Sequence, residues 1–582
     1  MQALKNAQRR FLDFTGRHPL VVYTLFAFAL IWFMQIGTAR TVYLTGNIRD
    51  TDDAMRLVQI RDWFSGQGWF DLHQYRVNPP DGLLMHWSRL IDVPVAALIL
   101  FFKLFTSTDM AERLARLLWP AFIQLALFFS LIALTFRLCG RQALFAASVI
   151  IGFNWIVSMQ VEPGRIDHHA VLMLLSVLMV LATFAAINRP RLALLAGGSA
   201  ALMMTIGFET MPLIAIAGGF YFFYWLGDQP HADRLLGNFG LGFAGLTLVF
   251  YFATAPHGLY QTPACDAQSY ISTILATSAG LASLLLAHFG RHRSMAQKLA
   301  LAFACAAVLA VVFYIYAKPC FSGPLTSLPA DLREKWMNHI FETVGLGKHL
   351  QSDVWNNLAF AGPLLVALGC ALAAFYFQKE KRWQWGLLGA LVAAHAILSF
   401  MHLRMLPYAV MFALPASAFC ITKLREKFQP GMALLYIASV PAAWAFIVQP
   451  FATPIENKSQ CGLPSNYRQI AELTPGLVLA PIDIGTFLLA HTRHAVIGAP
   501  YHRNVDGMRF VLATLYEPPV KALPLLRGKK IDYLILCEHL GEQRAIDQQY
   551  PQSLAARLMK HEKFKGLEKI DTAAPMHVWR VR

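Results

Sequence analysis

Charge is scarce in this sequence. Only 14% of its 582 residues are Asp, Glu, Lys or Arg, while 56% are hydrophobic; ordinary soluble domains run nearer a quarter charged. That shortage excludes a soluble globular chain of this length. A Walker loop, a paired CxxC spacing and a GxSxG elbow are also missing, which weakens the enzyme classes built on them. The first apolar run, about 19–36, has no small-residue cleavage site behind it, so it reads as a retained helix. No internal repeat or low-complexity tract occurs.

What the chain does have is apolar runs near 20 residues, recurring along its first 450 positions. Each can cross a hydrocarbon core of about 30 Å. Besides the first, they fall near 117–136, 142–159, 170–187, 192–208, 211–226, 237–254, 271–289, 299–317, 358–377, 384–400, 405–422 and 431–449. The expectation is about thirteen crossings by length. Residues 93–105 are too short and contain Lys103, so they read as a re-entrant or interfacial piece.

The net charge of +16 would point to nucleic acid in a soluble protein. Here it sets orientation, because short loops rich in Lys and Arg stay cytoplasmic. The basic residues collect in hinges: Lys5, Arg9, Arg10 and Arg17; Arg137 and Arg141; Arg189 and Arg191; Arg291, Arg293 and Lys298; Lys379, Lys381 and Arg382; Lys423, Arg425 and Lys427. All fall on one side if 93–105 does not cross. With the N-terminus inside, segments 38–92, 160–169, 255–269, 318–357 and 401–404 lie outside. Nucleic acid is not an expected partner.

After Pro450 the composition becomes charged, with short apolar strands at Gly476–Ala480, Ala495–Gly498, Ile531–Cys537 and His577–Val581. Residues 451–582 read as a small α/β domain, placed outside by an odd span count. Four of the eight cysteines also fall outside: Cys265, Cys320, Cys461 and Cys537. A Cys265–Cys320 bridge suits an oxidising compartment, and unlinked thiols are the alternative.

Candidate chemistry lies in the outer segments. The first carries Asp50, Asp52 and Asp53 within Arg49–Arg56. One Asp caps a helix; three within four residues need cations, and oxygen clusters suit Mg²⁺ or Mn²⁺. The second reads Glu162-Pro-Gly164-Arg165-Ile-Asp167-His168-His169, and alternate residues of an extended chain, Asp167 and His169, share a face. A solvated turn is the bland alternative. Segment 318–357 holds Glu342, and 401–404 ends in His402-Leu403-Arg404. An Arg at a membrane boundary either snorkels or forks onto a phosphate.

In this order the features resemble the oligosaccharyltransferase catalytic subunits, especially the single-chain bacterial and archaeal type with the C-type glycosyltransferase (GT-C) fold. The family's first-loop Asp, with Arg nine residues on, looks like Asp52 and Arg61, with Asp50 and Asp53 as competing registers. Its Asp-x-His motif looks like Asp167 and His169, and its mobile-loop Glu like Glu342. Its pyrophosphate-holding Arg looks like Arg404, in Leu403-Arg404-Met-Leu-Pro-Tyr408-Ala409-Val410. The acceptor-reading signature Trp-Trp-Asp-Tyr-Gly corresponds to Pro481-Ile482-Asp483-Ile484-Gly485, which keeps only Asp483 and Gly485.

The resemblance implies a polytopic α-helical membrane enzyme, residues 1–450, followed by an extracytoplasmic α/β domain, residues 451–582. It implies a multi-pass protein of the cytoplasmic membrane that works as a monomer. The enzyme would move a sugar or oligosaccharide from a polyprenyl-(pyro)phosphate donor to a protein or glycan acceptor. Asp52, Asp167, His169 and Glu342 would hold Mg²⁺ or Mn²⁺, Arg404 and His402 would bind the donor phosphate, and Asp52 would orient or deprotonate the acceptor. Loss of the indole donors keeps open a related enzyme that uses a polyprenyl-monophosphate sugar on a surface glycan or lipid. A lipid-linked-sugar flippase is the rival of another class, but transporters carry ionisable residues within spans, and the spans here have almost none.

Overall fold

The computed structural model describes residues 16–323, 325, 328–452 and 460–582. Of the basic hinges, Lys5, Arg9 and Arg10 lie outside the described residues. The 450/451 boundary falls beside residues 453–459, which also lie outside them.

The chain is a multi-pass membrane protein. Among the described residues, eight helices are long and apolar enough to cross a membrane, and nine if Gln429–Ser439 and Pro441–Val448, bent by 83°, form one span. Every run expected to cross is helical. The difference from thirteen has two causes: Leu144–Gly152 has nine residues, Ala193–Ile206 fourteen and Met211–Leu226 sixteen, too short to cross, while Arg382–Ser399 has eighteen but is not apolar enough. Asp92–Lys103 is a twelve-residue helix outside the spans, anchored by a buried ion pair between Asp92 and Arg56 at 2.6 Å.

Glycines let some of these helices approach closely. A Cβ at Gly197 would sit 2.2 Å from the Phe239 carbonyl oxygen, and one at Gly242 would sit 2.3 Å from that of Leu194. Ala193–Ile206 and Ala232–Thr254 therefore touch backbone to backbone, the packing small residues permit in lipid. At the other extreme, Met295–Cys320 fully buries none of its apolar window, resting on the bundle through Leu301, Ala302 and Cys305 of its first turns.

Beyond the membrane helices lies a mixed five-stranded sheet. Its order is Ala495–Val496, Leu477–Leu479, Tyr533–Cys537, Met576–Val581, Leu567–Ile570. The first three strands pair in parallel and the last two antiparallel. Tyr533–Cys537 is buried at every position, as expected of a strand covered on both faces. Disulfides join Cys461 to Cys537 and Cys265 to Cys320, so the bridge left open by the sequence is present.

Segment 38–92 is docked onto this sheet. Val77 bridges in parallel to Val496, and the Arg76 guanidinium donates to the carbonyls of Leu489, Thr492 and His494 at 3.0–3.3 Å. Arg61 works at the same junction. It forks onto Glu112 at 2.8 and 2.6 Å and donates to the Ala490 carbonyl, so it clamps the soluble part and does not face Asp52.

A candidate active site between the membrane helices and the sheet

A cavity of about 870 Å³ lies where segments 38–92, 160–169, 318–357 and 401–404 meet the sheet domain. It is lined by Asp50, Asp52, Arg165, His169, Glu342, Arg404 and Asp483, among others. Residues from 38–92, 160–169, 318–357, 401–404 and the soluble domain, all placed on one side by the charge rule, share its walls.

The helix Thr51–Phe64 delivers the acids. Asp50 is its N-cap, its Oδ1 accepting from the Asp52 N–H at 3.0 Å, the bland role expected for one Asp. Asp53 is buried, and its Oδ1 accepts from the backbone N–H groups of Ile166 at 2.7 Å and Asp167 at 3.1 Å. That carboxyl latches the first outer segment to the second and turns inward from the cavity. Burial and the charges of Asp167 and Asp50 raise it to about 7, against the pull of Arg165. Asp52 alone of the three is left facing the cavity without a backbone duty. Burial, then Asp50 and Asp167, hold its carboxyl well above the usual range, with His169 opposing.

Gly164 makes the second segment's turn at φ +102°, where a Cβ would also press on Arg49 and Val42 at 3.1 Å. The turn sets Arg165 among the acids. Its guanidinium pairs with Asp50 at 2.9 Å, with Asp53 at 3.7 Å and, closest, with Asp167. Although burial alone would raise Asp167, Arg165 and the neighbouring imidazoles hold its carboxyl at about 2. The acidic cluster thus has an internal cation.

Asp52, Asp167, His169 and Glu342 share one electrostatic neighbourhood, since all three partners act on the Asp52 carboxyl. Among the described residues, however, the ligand atoms gathered within 4.8 Å of one another here belong to His168, His169 and Glu209. Glu209 was not anticipated. Its Oε1 lies 2.8 Å from His169 Nδ1 and accepts from the Tyr408 hydroxyl at 3.1 Å, while Oε2 is 3.9 Å from Arg404. Burial would raise this carboxyl, but His169 and Arg404 pull it below the ordinary range. A signal for it exists, because Glu209 is the lone acid in a two-residue turn between the apolar runs 192–208 and 211–226.

Glu342 is ion-paired to Arg404. Their backbones meet too: the Arg404 N–H donates to the Glu342 carbonyl at 3.0 Å and the Leu403 N–H to Val344 at 3.1 Å. His402 Nδ1 lies 2.8 Å from the Thr343 carbonyl, so it serves the same junction, leaving Arg404 as the cavity's cation at this boundary.

In the sheet-domain part of the cavity lining, Asp483 is flanked by Ile482 and Ile484 where the resembled signature has Trp and Tyr. Its N–H donates to Glu542 Oε2 at 3.2 Å, and the Tyr516 hydroxyl donates to Oε1 at 3.2 Å. Burial raises both carboxyls, helped by the charge of Asp50 at Asp483, which reaches about 6, and by that of Asp483 at Glu542, which reaches about 8. Gly485 is required by packing, since a Cβ there would fall 1.9 Å from the Gly498 carbonyl oxygen.

No family model and no curated protein matches this sequence. By structure the chain is similar to the archaeal oligosaccharyltransferase AglB from Archaeoglobus fulgidus in complex with an inhibitory peptide and a dolichol-phosphate. The TM-score is 0.70 at 13% identity, covering 98% of this chain and 75% of that one. It is similar to an Archaeoglobus fulgidus oligosaccharyltransferase in complex with Zn and sulfate, with TM-score 0.65 at 13% identity over 97% and 73% of the two chains. It also resembles the form tethered to an acceptor peptide containing the NVT sequon, with TM-score 0.67 at 11% identity over 98% and 75%. At these identities the likeness establishes the fold, the C-type glycosyltransferase fold, over nearly the whole chain.

Proposed function

We propose that this chain is a membrane glycosyltransferase that moves a sugar or oligosaccharide from a polyprenyl-(pyro)phosphate donor to an acceptor outside the cytoplasmic membrane. One observation carries the reading. Asp52, His169 and Glu342 meet Arg404 around a single cavity at the edge of the membrane helices, with Glu209 behind His169 and Arg404 and Asp167 close enough to act on the Asp52 carboxyl, in a fold shared with an enzyme solved with dolichol-phosphate. The N-terminus would be cytoplasmic, with residues 1–450 as the membrane part and 451–582 as the outer domain, in a monomer.

Arg404 would grip the donor phosphate with its guanidinium fork. Its present partner Glu342 lies on an outer loop, and exchanging that carboxylate for a phosphate would free Glu342 to move with the loop. Asp52 would accept or orient the acceptor's proton, for which a carboxyl raised by burial is suited. Glu209 would hold the His169 ring in one tautomer. The donor set of carboxylates and one imidazole around Asp52, Asp167 and His169, joined by Glu342, fits a divalent ion, Mg²⁺ or Mn²⁺. When bound, that ion would supply positive charge to the leaving phosphate, and Arg165 would release Asp167 to it.

A second reading concerns the acceptor. The wall formed by Asp483, Glu542 and Tyr516 offers hydrogen-bonding groups where the resembled family places indoles. That favours an acceptor rich in hydroxyls, a surface glycan or lipid, over a sequon peptide. Purified full-length chain would be given a polyprenyl-phosphate-linked radiolabelled sugar with peptide, glycan or lipid acceptors. Label moving to none of them, with no slow hydrolysis of the donor, sinks the transferase reading.

A further inference from the structure

Away from the acids around Asp52, a second cluster offers metal-binding atoms. His86, Asp266 and His502 each place one ligand atom so that all lie within 4.8 Å of one another. They come from three separate pieces of the chain: the first outer loop, segment 255–269 and the soluble sheet domain. His502 Nε2 lies 2.6 Å from Asp266 Oδ2, and the rings of His86 and His502 stand edge to face at 4.7 Å. Nδ1 of His86 is buried without a hydrogen-bond partner, which asks for an explanation in a native structure.

We propose that His86, Asp266 and His502 bind a zinc ion that clasps these three outer pieces together. Two imidazoles and one carboxylate are a ligand set of the borderline kind zinc prefers, and three protein ligands leave a fourth position. That position is open to the cavity, because His86 and His502 both line it. None of the three residues belongs to the set assigned to the donor's ion, so the site stands independently of the transferase reading.

Arg503 already holds Asp266, with Nη2 on Oδ1 and Nε on Oδ2, each at 2.7 Å. A carboxylate offers about four lone-pair sites, and these contacts with that of His502 use three. Zinc would take the place of the proton between His502 Nε2 and Oδ2. Arg503 would remain as the outer partner that keeps the carboxylate aimed, the usual support of a metal ligand. The neighbouring Cys265–Cys320 disulfide ties this segment to 318–357, so the clasp would extend to the loop bearing Glu342.

The test uses full-length protein in detergent carrying Asp52→Asn, His169→Asn and Glu209→Gln, which removes ligands of the other proposed ion and breaks up the His168–His169–Glu209 group. After chelation and readdition of zinc, elemental analysis should find about one zinc per chain, the single site argued above. X-ray absorption should show two imidazole ligands, and zinc should raise the Tm. His86→Gln and His502→Gln, made in this background, should each weaken zinc binding at least roughly tenfold and abolish the Tm rise. Helical circular dichroism and elution volume check folding, and if one variant misfolds, the other and the absorption spectrum decide. No zinc uptake in the background protein, no imidazole signal, or uptake indifferent to both substitutions overturns the proposal.

Discussion

Nδ1 of His169 lies 2.8 Å from Oε1 of Glu209, two residues 40 positions apart that meet at the rim of the membrane helices. This contact fixes which His169 nitrogen is left for the cavity. A carboxylate on one ring nitrogen orients the other and raises its basicity, and removing such partners typically costs 10–100-fold in metal affinity or activity.

Glu209→Gln should therefore lower sugar-transfer kcat/KM by roughly 10–100-fold, with the larger part in kcat. The divalent-ion concentration for half-maximal activity should rise with it. Glu209→Asp, keeping the charge on a shorter arm, should recover part of the loss. Equal damage by both variants with no change in ion requirement would leave Glu209 as a packing group.

Gly485 tests the soluble wall of the cavity. A methyl group there meets the Gly498 carbonyl oxygen at 1.9 Å, a backbone atom that no rotamer can move aside. Gly485→Ala should destabilise the sheet domain by about 1–3 kcal/mol, the usual cost of overpacking. Thermal unfolding followed by circular dichroism checks this, and an unchanged Tm would mean the two backbones separate freely.

Much of this architecture was legible in the sequence. Long apolar runs separated by Lys and Arg placed the membrane helices and sorted the loops, because lipid leaves few alternatives for twenty apolar residues. The span count was less legible, since Leu144–Gly152 and Met211–Leu226 are apolar in composition but short as helices. Of the candidate site, only part has a signal in the sequence. Asp52, Asp167, His169 and Arg404 carry local motifs, whereas Glu209, Glu542, Asp266 and His502 gain their meaning from partners 26 to 236 positions away. Spacing along the chain holds no record of such contacts. The local run Arg49–Asp53 did not say which Asp faces the cavity; backbone hydrogen bonds decide that, spending Asp50 on a cap and Asp53 on a latch.

The Asp483–Glu542 pair makes stability depend on pH. In the folded chain burial lifts Glu542 from 4.5 to about 8 and Asp483 from 3.8 to about 6. Both bind protons more tightly folded than unfolded, so their stabilising contribution is complete below about pH 4 and fades as pH rises through 6 to 8. Wild-type Tm should fall between pH 5 and 9, and Glu542→Gln should flatten that slope. A variant with an unaltered slope would locate the titration elsewhere.

Donor binding and acceptor choice are separable at Arg404 and Glu542. Arg404 stands at the membrane boundary with Glu342 ion-paired to it and Glu209 Oε2 at 3.9 Å, so its guanidinium is already held in place for a second anion. Two parallel N–H donors suit a phosphate; Lys keeps the charge and loses the fork. Arg404→Lys should weaken use of the lipid-linked donor by about 1–3 kcal/mol, the range for hydrogen bonds to charged groups, leaving the acceptor KM within twofold or so of wild type. Glu542→Gln should do the reverse, because that carboxyl lies with Asp483 in the part of the lining that the sheet domain supplies. Steady-state transfer with donor and acceptor varied separately reads both. If Arg404→Lys raises only the acceptor requirement, the guanidinium binds something other than the donor phosphate, and the two walls of the cavity have been assigned the wrong way round.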